Sequence, residues 1–442
     1  MLTVQPRPAP AAQPEALIRE ARRLRRRRWR RRGALAAAMV AVAVAVAVTV
    51  GGGGGGDGGR RHHPTEAPRT VPPPATAVLP GVDLGPATAA TLTGPVSVAV
   101  GPLGDVDFSD GNRVYEIDHT DGHLLAVAGT GAAGFSGDGG PALKARLDLP
   151  GAVAVADDGD LYVVDQYRIR RIDGRTGVIT TVAGDGREGM GDEMAGLGGD
   201  YATGKVDGDG GPALAARLDL SAPVAGPGGQ PVLAVGPRHD LYLADPGTDE
   251  VRRVSLSTGR ITRFYGSGQQ PAVPGTASRR HQCLPTGVAV DHADDVFVLS
   301  SCGSIGEISA AGRVSTVLSA RRAAALPGAS AGSLGVGDDG SLYLGDLYGR
   351  RVMVLDPRTG RVRVVAGTGQ PTFPRPGQTA GDGGPARLAT FGAVAGVAVD
   401  GRGDVYVADF SNNAVRRIDA RTGVITAVAG QIPTSPAAGH CC

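Results

Sequence analysis

The chain has 442 residues, 41% of them apolar, with 71 glycines and 32 prolines. It can bury a substantial core, and the glycine and proline surplus suits many short strands joined by tight turns. The net charge of +2 averages two unlike parts: residues 1–70 hold 14 arginines and no lysine against 4 acids, and the remainder holds 31 bases against 39 acids. A mildly acidic body lacks the basic footprint that phosphate backbones require, which excludes nucleic acid as a partner.

Residues 1–33 form a basic tail that ends in Arg25–Arg28, Trp29 and Arg30–Arg32. Ala34–Val50 follows without a charge, and only Thr49 in it has a polar side chain. As a helix this stretch measures about 26 Å, close to the thickness of a bilayer core, so it predicts a transmembrane anchor. The arginines place the tail in the cytoplasm and the body outside. A cleaved signal peptide is the alternative, because Ala43–Ala47 offers Ala-x-Ala sites, and it would make the body secreted. Residues 51–93, opening on Gly51–Gly56 and punctuated by Pro64, Pro68 and Pro72–Pro74, predict a disordered tether. The sequence leaves open whether Val78–Leu92 adds a closing strand to the last repeat.

From residue 94 the chain repeats itself. Gly159–Gly184 (GDLYVVDQYRIRRIDGRTGVITTVAG) returns almost unchanged as Gly403–Gly430 (GDVYVADFSNNAVRRIDARTGVITAVAG), and weaker copies bring the count to six, at about 94–129, 150–184, 229–266, 285–318, 332–367 and 393–430. Each copy holds four short apolar runs separated by turn signals. A four-stranded sheet leaves both faces uncovered, so six in series predict an all-β, six-bladed propeller of antiparallel blades over 94–430, with 431–442 as a tail. Asp185–Val206 is an insertion before the third blade.

Gly396–Asp400, Asp404–Asp409, Asn413 and Arg416–Arg417–Ile418 resemble the NHL repeat, and the connectors opening Gly-Asp-Gly-Gly-Pro-Ala resemble its bacterial and teneurin-type versions. The resemblance implies the six-bladed fold. It does not imply one function, because NHL propellers differ widely in what they do.

Several residues are candidates for a working site. Asp165, Asp245, Asp346 and Asp409 end the second strand of blades two, three, five and six, on one rim of the ring. With Asn412, Asn413 and the connector acids Asp138, Asp209 and Asp382 they predict a ligand-binding rim, or else aspartates that accept hydrogen bonds from loop amides. Blade four departs from the pattern with Ser300. The Gly-Asp-Gly-Gly-Pro loops superficially resemble calcium loops, but too few carboxylates follow and no glutamate closes a 12-residue site. Cys283 and Cys302 fall opposite one another and predict a disulfide in an exported chain; Cys441 and Cys442 are left unpaired.

The histidines do not converge as a zinc site requires, no nucleophile triad can be placed, and the body has no tryptophan for sugar stacking. These readings favour a protein- or peptide-binding module at the cell surface, with no catalytic residue and no cofactor. The alternative is an extracellular hydrolase or lyase with one divalent metal, calcium or zinc, in the central channel. The oligomeric state is left open.

Overall fold

A computed structural model describes residues 80–187, 208–218, 220, 233–266, 283–326, 331–370 and 380–431. The basic tail, the candidate anchor 34–50, most of the insertion and Cys441 and Cys442 lie outside these residues. Among the described residues no helix is long and apolar enough to cross a membrane.

Six antiparallel sheets form the ring, and in each of them four strands run in sequence order from the inner strand outward. The inner strands are Ser97–Val100, Val153–Val155, Leu233–Val235, Pro285–Val290, Ala331–Val336 and Val394–Val399. They converge on a narrow channel, and are built mainly from valine, alanine and glycine, whose side chains are small enough to fit there. The hydrophobic core is divided into six clusters, each shared by two neighbouring blades. No blade buries its own apolar faces, so the repeats are stable only as a ring.

One expectation needs correction. Residues 82–93, read from sequence as the end of a disordered tether, belong to the propeller. Val82–Pro86 pairs with His123–Ala128 as a fifth, outermost strand of blade one, not of the last blade. Ala87–Ala89 then makes one helical turn. Ala87 N donates to Gly122 O (2.9 Å) and Ala87 O accepts from Gly430 N (3.0 Å).

The same pair of bonds recurs three times around the ring. Ala142 joins Gly177 and Gly129, Ala213 joins Gly259 and Gly184, and Ala386 joins Gly423 and Gly367, all at 2.8–3.0 Å. Residues 85–92 (GPATAATL) are therefore a copy of the connectors GPALKARL, GPALAARL and GPARLATF. The connector stitches the outer edge of one blade to the next, and the N-terminal copy closes the ring between blades six and one. The close approach demands glycine: at Gly430 φ is +81° and a Cβ would lie 2.1 Å from Asn413 O.

Blade four is closed by different chemistry. In blade six Gly392 N donates to Asp409 (2.9 Å), fixing the entry of the inner strand to the end of the second. Cys283 occupies the position of Gly392, Ser300 that of Asp409, and the disulfide Cys283–Cys302 makes the same join covalently, with the Cα atoms 5.2 Å apart. Its sequence separation of 19 corresponds to about 3 kcal/mol of denatured-state entropy. Adding dithiothreitol is thus expected to lower the unfolding free energy by about that amount in the native chain and to leave Cys283→Ser/Cys302→Ser unchanged, measured by denaturant titration.

Candidate functional site

Two faces of the ring offer themselves. The connectors and the turns between second and third strands share one face. The turns between first and second strands share the other with those between third and fourth.

The connector face carries the acids singled out from sequence, and it uses them internally. In blade six Arg416 is fully buried and all five of its N–H groups are placed. Nε and Nη2 donate to Asp382 Oδ1 (3.1 and 2.8 Å), Nη2 also to Ala380 O (3.1 Å), and Nη1 to Thr390 O (2.8 Å) and Asp409 Oδ2 (3.2 Å). Phe391 lies under the guanidinium at 4.9 Å. In blade two Arg170 clasps the matching acids through its Nη atoms, Asp138 at 2.6 Å and Asp165 at 3.1 Å, while its Nε has no hydrogen-bond partner. Arg252 does so in blade three, with Asp209 at 2.8 Å and Asp245 at 3.5 Å.

The sequence shows why only these three blades are built so. The buried arginine occurs where a Gly-Asp-Gly-Gly-Pro connector precedes the blade, and at the matching position blades one, four and five carry Tyr115, Gly306 and Met353.

The strand-end acids are turned into the protein. Asp165, Asp245, Asp346 and Asp409 are at most 2% exposed, and the first, second and fourth face an arginine inside the protein. Asp165 also accepts from Asp148 N (2.8 Å), and Asp346 from Gly349 N (2.7 Å). Asn412 is buried and donates to Asp409 (2.7 Å). Asn413 holds the left-handed turn, at φ +52°. Asp138 is the most open of the connector acids. Burial works against its charge, but hydrogen bonds from Thr181 and Arg170 bring its carboxyl below the usual range. Burial pushes Asp409 and Asp382 upward while Arg416 pulls both back. In blade three burial raises Glu250 to about 7 against the opposing pull of Arg263, 2.6 Å away.

Asp110 was not singled out from sequence. It takes the same place in blade one and accepts from Thr93 N (3.0 Å) and Thr93 Oγ1 (2.9 Å). Its signal was available: it ends a second strand, five residues after Asp105, as Asp165 follows Asp160 and Asp409 follows Asp404.

The opposite face is open. There the channel widens into a depression of about 900 Å³ ringed by the first turns of all six blades. Asp157, Asp291, Asp338, Asp339 and Asp400 line it beside Arg358 and Arg402, with His119 and His292. Asp157, Asp338 and Asp339 are exposed. His292 and Asp338 pair at 2.9 Å. The channel beneath is walled by valine, alanine and glycine, with Ser97 and Ser333 as its polar side chains among the described residues. That lining holds neither the carboxylates nor the imidazoles that a catalytic metal requires.

Ring, connectors and arginine clasps together define a closed six-bladed β-propeller scaffold. The teneurin NHL domain model matches residues 126–191 and 339–438. Over those residues the chain resembles the NHL domain. It is similar to Protein SUPPRESSOR OF QUENCHING 1, chloroplastic, of Arabidopsis thaliana, at 37% identity over 86 residues. That match spans 20% of the chain and 7% of the relative's length. Among solved structures, a protein of unknown function from Bacteroides thetaiotaomicron superposes with a TM-score of 0.50 at 17% identity, over 76% of this chain and 71% of that one; the likeness shows the fold. A gluconolactonase from Xanthomonas campestris gives 0.45 at 13% identity, over 80% of this chain and 92% of its own.

Proposed function

We propose that this NHL propeller is a protein- or peptide-binding scaffold, displayed outside the cell on the N-terminal anchor, and that its working surface is the depression opposite the connectors. The carrying observation is the contrast between the faces. The three connector acids and three of the strand-end aspartates are committed to buried arginines, whereas the depression presents carboxylates to solvent from turns of several blades. Five aspartates stand there against two arginines, which favours a polar ligand carrying positive charge. The site is broad, is lined mainly by turn residues and, among the described residues, has no phenylalanine, tyrosine or tryptophan, so an extended segment of a partner fits it better than a stacked sugar or a small apolar molecule.

The test is selection of a random peptide library against the full chain. Enriched peptides are expected to be rich in lysine and arginine, and to bind Asp157→Lys/Asp338→Lys about tenfold or more weakly, since two charges reverse at the mouth. Enrichment indifferent to both substitutions would sink the proposal.

A further inference from the structure

Blade five lacks a cover that four sister blades carry on their outermost strand. In blades two, three and six the Gly-Asp-Gly-Gly-Pro connector pairs with that strand. Gly139 N donates to Ile179 O and Ile179 N to Gly140 O, at 2.8 and 2.9 Å. Gly210 and Gly211 hold Ile261 in the same way, and Gly383 and Gly384 hold Ile425. In blade one the cover is a fifth strand, Val82–Pro86.

Blade five is entered instead through Ala320–Ala323, a single helical turn. From it Arg322 Nη2 donates to Gly360 O (2.9 Å), as Ala142 N, Ala213 N and Ala386 N donate to Gly177 O, Gly259 O and Gly423 O. A side chain thus replaces the joint of the connector, and no glycine segment pairs with the strand beyond it. Val362 stands where Ile179, Ile261 and Ile425 stand. Among the described residues its main chain has no partner on the outer side. Arg361–Ala366 therefore presents an open sheet edge.

The edge is also charged. Arg361 and Arg363 are exposed and, as alternate residues, share one face of the strand. Among the described residues neither side chain forms an ion pair or donates a hydrogen bond, and neither lines the depression. Val362 and Val364 turn the other way, against the apolar cluster shared with blade four. Blade one shows what such an edge receives. Arg361 takes the place of His123, and Arg363 that of Leu125. There the added strand sets Asp83 opposite Leu125, and the Asp83 carboxylate lies 3.0 Å from His123 Nδ1.

We propose that Arg361–Ala366 receives an extended acidic segment of a partner protein as a fifth antiparallel strand, with the partner's carboxylates on Arg361 and Arg363. Main-chain bonds supply the pairing and the two arginines choose the sequence. The chain already uses this mode on itself in blade one. Charge settles the occupant: a second copy of this strand would set arginine against arginine, which opposes self-pairing, whereas acids at alternate positions meet both. This surface is independent of the depression and selects the opposite charge.

The test uses the full chain and a fluorescent octapeptide of alternating glutamate and threonine, followed by anisotropy. Binding is expected, and it should weaken with salt. Arg361→Glu/Arg363→Glu should bind about tenfold or more weakly while keeping the native Tm, and glutamine in place of glutamate should have a similar effect. N-methylation of every second residue separates strand pairing from charge alone. One phase is expected to abolish binding and the other to leave it, because only one set of the peptide's N–H groups faces the sheet. The amides of Val362 and Val364, which correspond to the outward amides of Ile179 and Thr181, should exchange fast in the free chain and slowly with the peptide. Failure of the acidic peptide to bind, equal binding by the charge-reversed variant, or equal effects of the two methylated phases would each overturn the proposal. Slow exchange of Val362 and Val364 in the free chain would do so too, because the edge would already be covered.

Discussion

Replacing Arg416 by methionine is expected to destabilise the propeller by about 3–5 kcal/mol, the range for removing one partner of a buried ion pair. Methionine is the informative choice, because Met353 stands at the matching position of blade five, where no Gly-Asp-Gly-Gly-Pro connector precedes the blade. In blade six the substitution strands Asp382 and Asp409, whose oxygens accept three of the five guanidinium bonds, and it also leaves the carbonyls of Ala380 and Thr390 without these donors. Urea titration of the variant should show the midpoint falling. Arg416→Met/Asp382→Asn/Asp409→Asn, which removes the charges together, should recover much of the loss. If the single variant is as stable as the native chain, the clasp contributes nothing net.

Beginning the chain at Gly94, rather than at Thr76, is the second large effect. The shorter chain loses Ala87 and Leu92, which are 0% and 4% exposed, and the bond from Gly430 N to Ala87 O. Burial of Leu92 is worth about 1.5–3 kcal/mol, and each buried hydrogen bond adds about 1 kcal/mol. The outer edges of blades one and six are also left open to pairing with other chains. A lower Tm is expected, with fast amide exchange concentrated in His123–Ala128 and Ile425–Ala429. A chain beginning at Thr76 should match the full protein. Equal exchange in the two truncations would show that the ring closes without this segment.

Much of the fold was legible because repetition is a global signal. One well-formed copy at 403–430 located the others, and the alternation within it set the strands. The cysteine pair was legible for a local reason, since the register of one hairpin brought the two residues together. The N-terminal connector was missed because it lacks the Gly-Asp-Gly opening and follows a proline-rich stretch. Gly85-Pro86-Ala87 was its remaining mark, a short signal that takes meaning only when the bonds of Ala142, Ala213 and Ala386 are seen beside it.

The sequence left two readings of the acids open for a different reason. Sequence places Asp165 and Asp409 at a strand end but does not say which way they face. Their burial depends on Arg170 and Arg416 turning inward, against the usual rule for arginine. Arg361 looked ordinary until strand pairing set it in the place of His123. Charge balance between strands is a property of register, and register is what a single sequence gives least directly.

The stitch between blades six and one also decides how the molecule carries mechanical load. Force arriving through the residues before 80 reaches Val82–Pro86 first and then the turn that docks under Gly430, before it reaches the inner strand of any blade. The ring would therefore yield at its latch.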